Sequence, residues 1–89
     1  REAEKTLKIV VPEDLEFDGI FGDVLDRFAA EHELTEVTTS NMGSLYTLEY
    51  TLRLREPGME KRLIDEVRCL NGNLKVTLGK CELKPQGVL

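Results

Sequence analysis

Eighty-nine residues, 40% hydrophobic and 33% charged, describe one soluble globular domain, not a disordered chain. A net charge of −5 argues against nucleic acid, whose binding rests on neutralising phosphates. No apolar run approaches the roughly 18–20 residues that span a bilayer, and two cysteines without CxxC spacing, beside a single histidine, make neither a disulfide framework nor a zinc site.

Residues 1–5, "REAEK", read as a linker from an upstream segment. "KTLKIVV" (5–11) then alternates as a strand, with Leu7, Ile9 and Val11 on one face and Lys8 and Val10 on the other, and Pro12 stops it. An acidic loop follows, and Asp18 is the expected N-cap of a helix. Through "GIFGDVLDRFAAEH" (19–32) the residues Ile20, Val24, Leu25 and Phe28, with Phe21 beside them, recur at helical spacing. His32 falls at the end of that helix.

"LTEVTTSNM" (34–42) is β-branched and mostly polar, the composition of a strand at a sheet edge. "SNMGSL" (40–45) reads as a hairpin turn, with Asn41 and Gly43 tolerant of positive φ. "LYTLEYTLRLR" (45–55) alternates without error, Leu48, Tyr50, Leu52 and Leu54 inward. Pro57 suits the first turn of a second helix, whose apolar stripe is Met59, Leu63, Ile64, Val67 and Leu70. Lys61–Asp65 and Arg62–Glu66 are i,i+4 pairs on its wet side, and Gly72 is available for a left-handed cap. "NLKVTLGKCE" (73–82) is the last strand, and residues 83–89 form a C-terminal tail.

The order β-α-β-β-α-β predicts an α+β ferredoxin-like sandwich over residues 1–89: a four-stranded antiparallel sheet with two helices on one face, the first and third strands central. Its open face then carries Lys8, Val10, Glu49, Thr51, Arg53, Lys75 and Thr77. It offers no aromatic platform on which bases stack. Lys8, Arg53 and Lys75 could together hold a small anion; the blander reading is a solvated, mutually paired polar face.

Charge is uneven, −7 over residues 1–45 and +2 over 46–89. "PEDLEFDG" is rich in carboxylates but lacks the DxDxDG pattern that would specify a cation loop. There is no Walker A or GxGxxG sequence, and no Ser, Cys or second His stands where it could work with His32. Cys69, on the second helix near the start of the last strand, and Cys81, near that strand's end, are expected roughly 20 Å or more apart, too far to bridge. No catalytic residue, metal ligand or cofactor is therefore predicted, and the chain reads as no enzyme.

"EFDGIFGDVLDRF" after the first strand resembles an ACT-type domain, in which a D-x-P-G-x-L loop contributes to a ligand site at a dimer interface. Asp18, Gly19 and Ile20 fall on that loop without its proline. The resemblance implies a small ligand at Asp18 and Gly19; a ligand-sensing reading adds the Asn41–Ser44 turn, with Asn41 and Gly43, as its neighbour. A broader resemblance runs through "TLKIVVPE", "NMGSLYTLEYTLRLREPG" and "EKRLIDEVRCLNGNL". These look like the soluble C-terminal ACT-like domain of a family of uncharacterised bacterial multi-pass membrane proteins, similar in layout to the MgtC/SapB tail. It implies a cytosolic regulatory or assembly domain at the cytoplasmic face of the inner membrane. The expected partners are a second copy, paired as a homo-dimer through the second strand, and the upstream transmembrane segment. The alternative is a small-ligand or cation-sensing module.

Overall fold

The computed structural model describes residues 4–81. The expected tail at 83–89 lies outside them. The elements are β1 (Glu4–Pro12), α1 (Gly22–Phe28), β2 (Ala29–Ser40), a 3-10 turn (Asn41–Gly43), β3 (Leu45–Leu54), α2 (Glu60–Leu70) and β4 (Val76–Lys80). They form a ferredoxin-like α+β fold, its sheet antiparallel throughout in the order β2-β3-β1-β4. β1 already runs from Glu4, inside the stretch read as a linker.

The alternation of β1 and β3 becomes the core. Leu7, Ile9, Val11, Leu48 and Leu52 are almost wholly buried beneath Phe21, Leu25 and Phe28 of the α1 region and Leu63 and Val67 of α2. The β1–β3 register is unbroken from Glu4↔Arg53 to Pro12↔Leu45, so both strands keep one face inward along their whole length.

α1 departs from its sequence reading at both ends. Asp18 does not cap it: Phe21 takes that place, with no side-chain bond. Asp18 and Gly19 instead form the centre of a turn closed by Ile20 N donating to Phe17 O at 3.2 Å, with Gly19 at φ +79°. That is the position where a type II turn needs glycine. The helix then stops at Phe28, six residues before the expected strand, although "AAEHE" contains no breaker. The stop comes from the end of β3. The Arg55 guanidinium donates through Nε and Nη2 to Asp26 O at 3.1 and 2.9 Å, and Arg55 N donates to Phe28 O at 2.9 Å. The terminal carbonyls of α1 are thus satisfied from outside the helix. Ala29 turns extended at φ −123°, ψ 137°, and β2 begins with no loop between.

α2 starts at Glu60, and Pro57 and Gly58 (φ +82°) form a turn ahead of it instead of its first turn. Its C-terminus follows the sequence: Gly72 is left-handed at φ +73° and Asn73 N donates to Arg68 O at 3.1 Å, the bond of a Schellman cap. Asn71, wholly buried, does more than end the helix. Its Nδ2 donates to Val10 O at 2.8 Å and to Leu74 O at 3.3 Å, while Val10 N donates to Lys75 O at 3.0 Å. The side-chain amide stands in for a strand N–H where β4 has not yet begun.

Candidate functional site

β2 is the longest strand at 12 residues and the outer edge of the sheet. Eight consecutive residues, Glu33 to Ser40, are exposed. Its pairing with β3 assigns the faces. Ala29, His32, Leu34, Val37 and Thr39 stand opposite Leu54, Leu52, Tyr50, Leu48 and Tyr46 on the helix side. Glu31, Glu33, Glu36, Thr38 and Ser40 stand on the open side. α1 has only two turns and covers the Ala29 end, where Ala29 is 1% exposed; Leu34 and Val37 remain 41% exposed beyond it.

Two irregularities interrupt the strand, between Ala29 and Glu31 and between Leu34 and Glu36. At the second, the extra residue Thr35 turns its Oγ1 to donate to Glu49 O at 3.1 Å. From Glu36↔Glu49 to Ser40↔Leu45 the ladder is regular. The first half is also the one fastened down. Arg53 Nη2 donates to Glu31 Oε2 at 3.0 Å, and His32 Nε2 lies 2.7 Å from Asp26 Oδ1, tying β2 back to α1. His32 is therefore a strand residue, not the helix-end residue its sequence position suggests. Its one described partner is a carboxylate that orients it.

The open face is a shallow depression of about 880 Å³ whose lining includes Thr6, Lys8, Glu36, Thr38, Thr47 and Glu49. Glu36, Glu49, Lys8 and Thr77 form one row across all four strands. Two carboxylates stand directly opposite each other in that row, an unfavourable pairing in a sheet, and Lys8 forms no ion pair with either. The face is thus solvated and less internally paired than its sequence suggested. The proposed anion cluster does not assemble as a free set, because Arg53 is engaged by Glu31.

Of the four residues singled out from sequence, Asn41 and Gly43 lie in the β2–β3 turn, and Asp18 and Gly19 in the loop between β1 and α1. Glu13 N donates to Ser44 O at 3.0 Å and the Phe17 ring packs on Tyr46 at 6.1 Å, so the loop leaves the hairpin end of the sheet along β3 before it reaches Asp18 and Gly19, and no described contact joins those two to the Asn41–Gly43 turn. Asp18 and Gly19 are exposed and Gly43 is half-buried, and none of these three lines the open-face depression. Positive φ at the turn falls on Met42 (57°) and Gly43 (90°), and the Met42 side chain is fully exposed at the tip. Burial raises the Tyr50 phenol above its ordinary pKa, and the charge of Asp18 adds to that.

Among the described residues no group of three or more His, Cys, Asp or Glu side chains converges to hold a metal ion, and Cys69 and Cys81 are free thiols. No helix of the described residues is long and apolar enough to cross a membrane. Sequence reasoning missed the first five of the twelve residues of β2, because residues 29–33 continue the helical reading with no local stop. The signal that could have found it is the fork of Arg55, which has no meaning until the fold brings it to α1. No protein family, curated protein or solved structure matches the chain.

Proposed function

We propose that this chain is a non-catalytic assembly domain that pairs with a second copy of itself along the outer edge of β2. In the full-length protein it regulates or assembles a bacterial multi-pass membrane protein from the cytoplasmic side. The observation that carries the pairing is the edge itself: a long strand, exposed from Glu33 to Ser40, with Leu34 and Val37 uncovered on the helix side. An edge strand presents unpaired N–H and C=O groups that another strand satisfies. The other edge, β4, has five residues and is half-buried at three of them, a much shorter template. A two-fold dimer is the commonest closed solution. The membrane context is supported by the resemblance alone, through "TLKIVVPE" and "NMGSLYTLEYTLRLREPG".

Sedimentation velocity of the 89-residue chain from about 10 μM to 1 mM tests the pairing. A shift from monomer to dimer across that range is the expected result. A monomer throughout refutes assembly through this domain.

A second reading, a small-ligand or cation sensor, is favoured by the glycine turn at Asp18 and Gly19, which falls where the resembled ACT-type loop contributes to a ligand site. A ligand at 100 times its dissociation constant adds about 2.7 kcal/mol of stability. Thermal shift with metals, nucleotides, phosphate and amino acids therefore reads it, and silence across all four refutes it.

A further inference from the structure

We infer that the two copies meet on the Glu36–Ser40 half of β2, with the two-fold axis passing through Thr38. This rests on the edge-pairing reading above and fixes its register.

The strand has a defended half and an undefended one. Residues Ala29 to Glu36 contain both irregularities and the carboxylates Glu31 and Glu33. Bulges and charges are the devices that keep sheet edges from pairing. Residues Glu36 to Ser40 run in an unbroken register against Glu49 to Leu45, are all exposed, and after Glu36 read Val-Thr-Thr-Ser. Of these four, Val37, Thr38 and Thr39 are β-branched and none is charged, a composition that suits a strand accepting a neighbour.

The alternation of faces then selects the axis. Directly opposed residues in an antiparallel pair point to the same side of the sheet, so a two-fold must pass through a residue, not between two. Through Thr38, each Val37 meets the partner's Thr39 on the helix side, each Glu36 meets the partner's Ser40 on the open side, and Thr38 meets itself. A carboxylate thereby faces a hydroxyl donor. All five pairs stay inside the regular segment. An axis through Val37 pushes Thr39 onto the irregular Thr35, and one through Thr39 runs Val37 past the end of the strand to Asn41.

Electrostatics agree. With the axis at Thr38 the two Glu36 carboxylates stand four residues apart along the strand direction, about 13 Å, beyond the Debye length of about 8 Å at physiological ionic strength. An axis in the first half, through His32, sets Glu31 directly against the partner's Glu33, within roughly 5 Å. Just beyond the paired segment the Met42 side chain is fully exposed.

The test uses the 89-residue chain with Cys69 and Cys81 changed to Ser. Thr38→Cys, oxidised with diamide, is expected to give a disulfide-linked dimer, whereas Glu33→Cys is expected to stay uncrosslinked. In parallel, Thr38→Lys sets two ammonium groups face to face and weakens the dimer at least tenfold by sedimentation, while Glu33→Lys leaves it within threefold. The dimer constant is expected to change less than threefold between 50 and 500 mM NaCl. Circular dichroism confirms the fold of each variant, whose substituted side chain is exposed. A dimer that crosslinks through residue 33 but not 38, or that Glu33→Lys strengthens strongly, overturns this register and leaves edge pairing standing. A chain that stays monomeric at 1 mM overturns both.

Discussion

Replacing Arg55 with Ala isolates the group that ends α1. The backbone bond from Arg55 N to Phe28 O survives the substitution, so the measurement reads only the guanidinium fork on Asp26 O. Each of those two bonds has a charged donor, a class worth roughly 1.5–3 kcal/mol when sheltered. Both here are exposed, which brings them toward the lower end or below it. A cation beside a helix C-terminus adds about 0.3–1 kcal/mol through the dipole. Together these give an expected loss of about 1–2 kcal/mol. For a domain of this size each kcal/mol moves Tm by about 4–8 °C, so Arg55→Ala should melt roughly 5–15 °C below the parent. Urea unfolding followed by far-UV circular dichroism gives the free energy directly, with an unchanged slope showing that the denatured state is not the cause. Arg55→Lys keeps the charge but not the fork and should fall between the two. Hydrogen exchange at the Ala29 amide, which donates to Leu25 O, should speed up in step. An Arg55→Ala domain within about 0.3 kcal/mol of the parent would refute the claim that the Arg55 fork holds the end of α1.

Asn71→Ala removes the donor to the half-buried Val10 and Leu74 carbonyls and should cost about 1–3 kcal/mol by urea unfolding. Asn71→Asp, which turns a carboxylate oxygen on those same carbonyls, should cost more. Tyr50 should titrate above the ordinary tyrosine value when followed by absorbance at 295 nm, and Asp18→Asn should lower its midpoint by removing the second cause of the shift. Because the folded value is the higher one, this phenol contributes nothing to the pH dependence below its ordinary pKa. Stability then falls as pH rises from there through the folded value. The Glu66 carboxyl, held 2.9 Å from the Arg27 guanidinium, lies below its ordinary pKa. By NMR its midpoint should rise toward the ordinary value in Arg27→Gln, and the contribution of the pair should disappear as pH falls through the depressed value.

The parts of this fold legible in the sequence are those where one element carries its own evidence. β1 and β3 have a clean buried face, so Leu7, Ile9, Leu48 and Leu52 could be assigned inward from alternation alone. α2 ends at a glycine whose left-handed φ follows from its lack of Cβ. The misplaced boundaries are those set at a distance. α1 ends because Arg55 reaches it, and β2 starts at Ala29 because β3 offers Leu54 as a neighbour. Arg62 was expected on Glu66 within α2, yet Glu66 bonds to Arg27 across the helices while Arg62 lies over the Phe28 ring. For the candidate site, the polar, β-branched run from Leu34 announced an edge strand, but not where along it the irregularities fall. The pair Asp18 and Gly19 was legible as a special loop, and its geometry is that of a tight turn.

The seven residues of α1 also bear on the order of events during folding. Isolated helices shorter than about 12–15 residues are marginal in water, and this one has no side-chain cap at its start and borrows its end from a residue 29 positions beyond Asp26. It has little to hold it until β3 has docked against β1, so the first helix of the chain is among the last elements to settle. Contacts made after the barrier govern the rate of unfolding more than the rate of folding. The Arg55 fork therefore acts as a latch on the finished domain: its loss shortens the lifetime of the native state and leaves the time needed to reach it nearly unchanged.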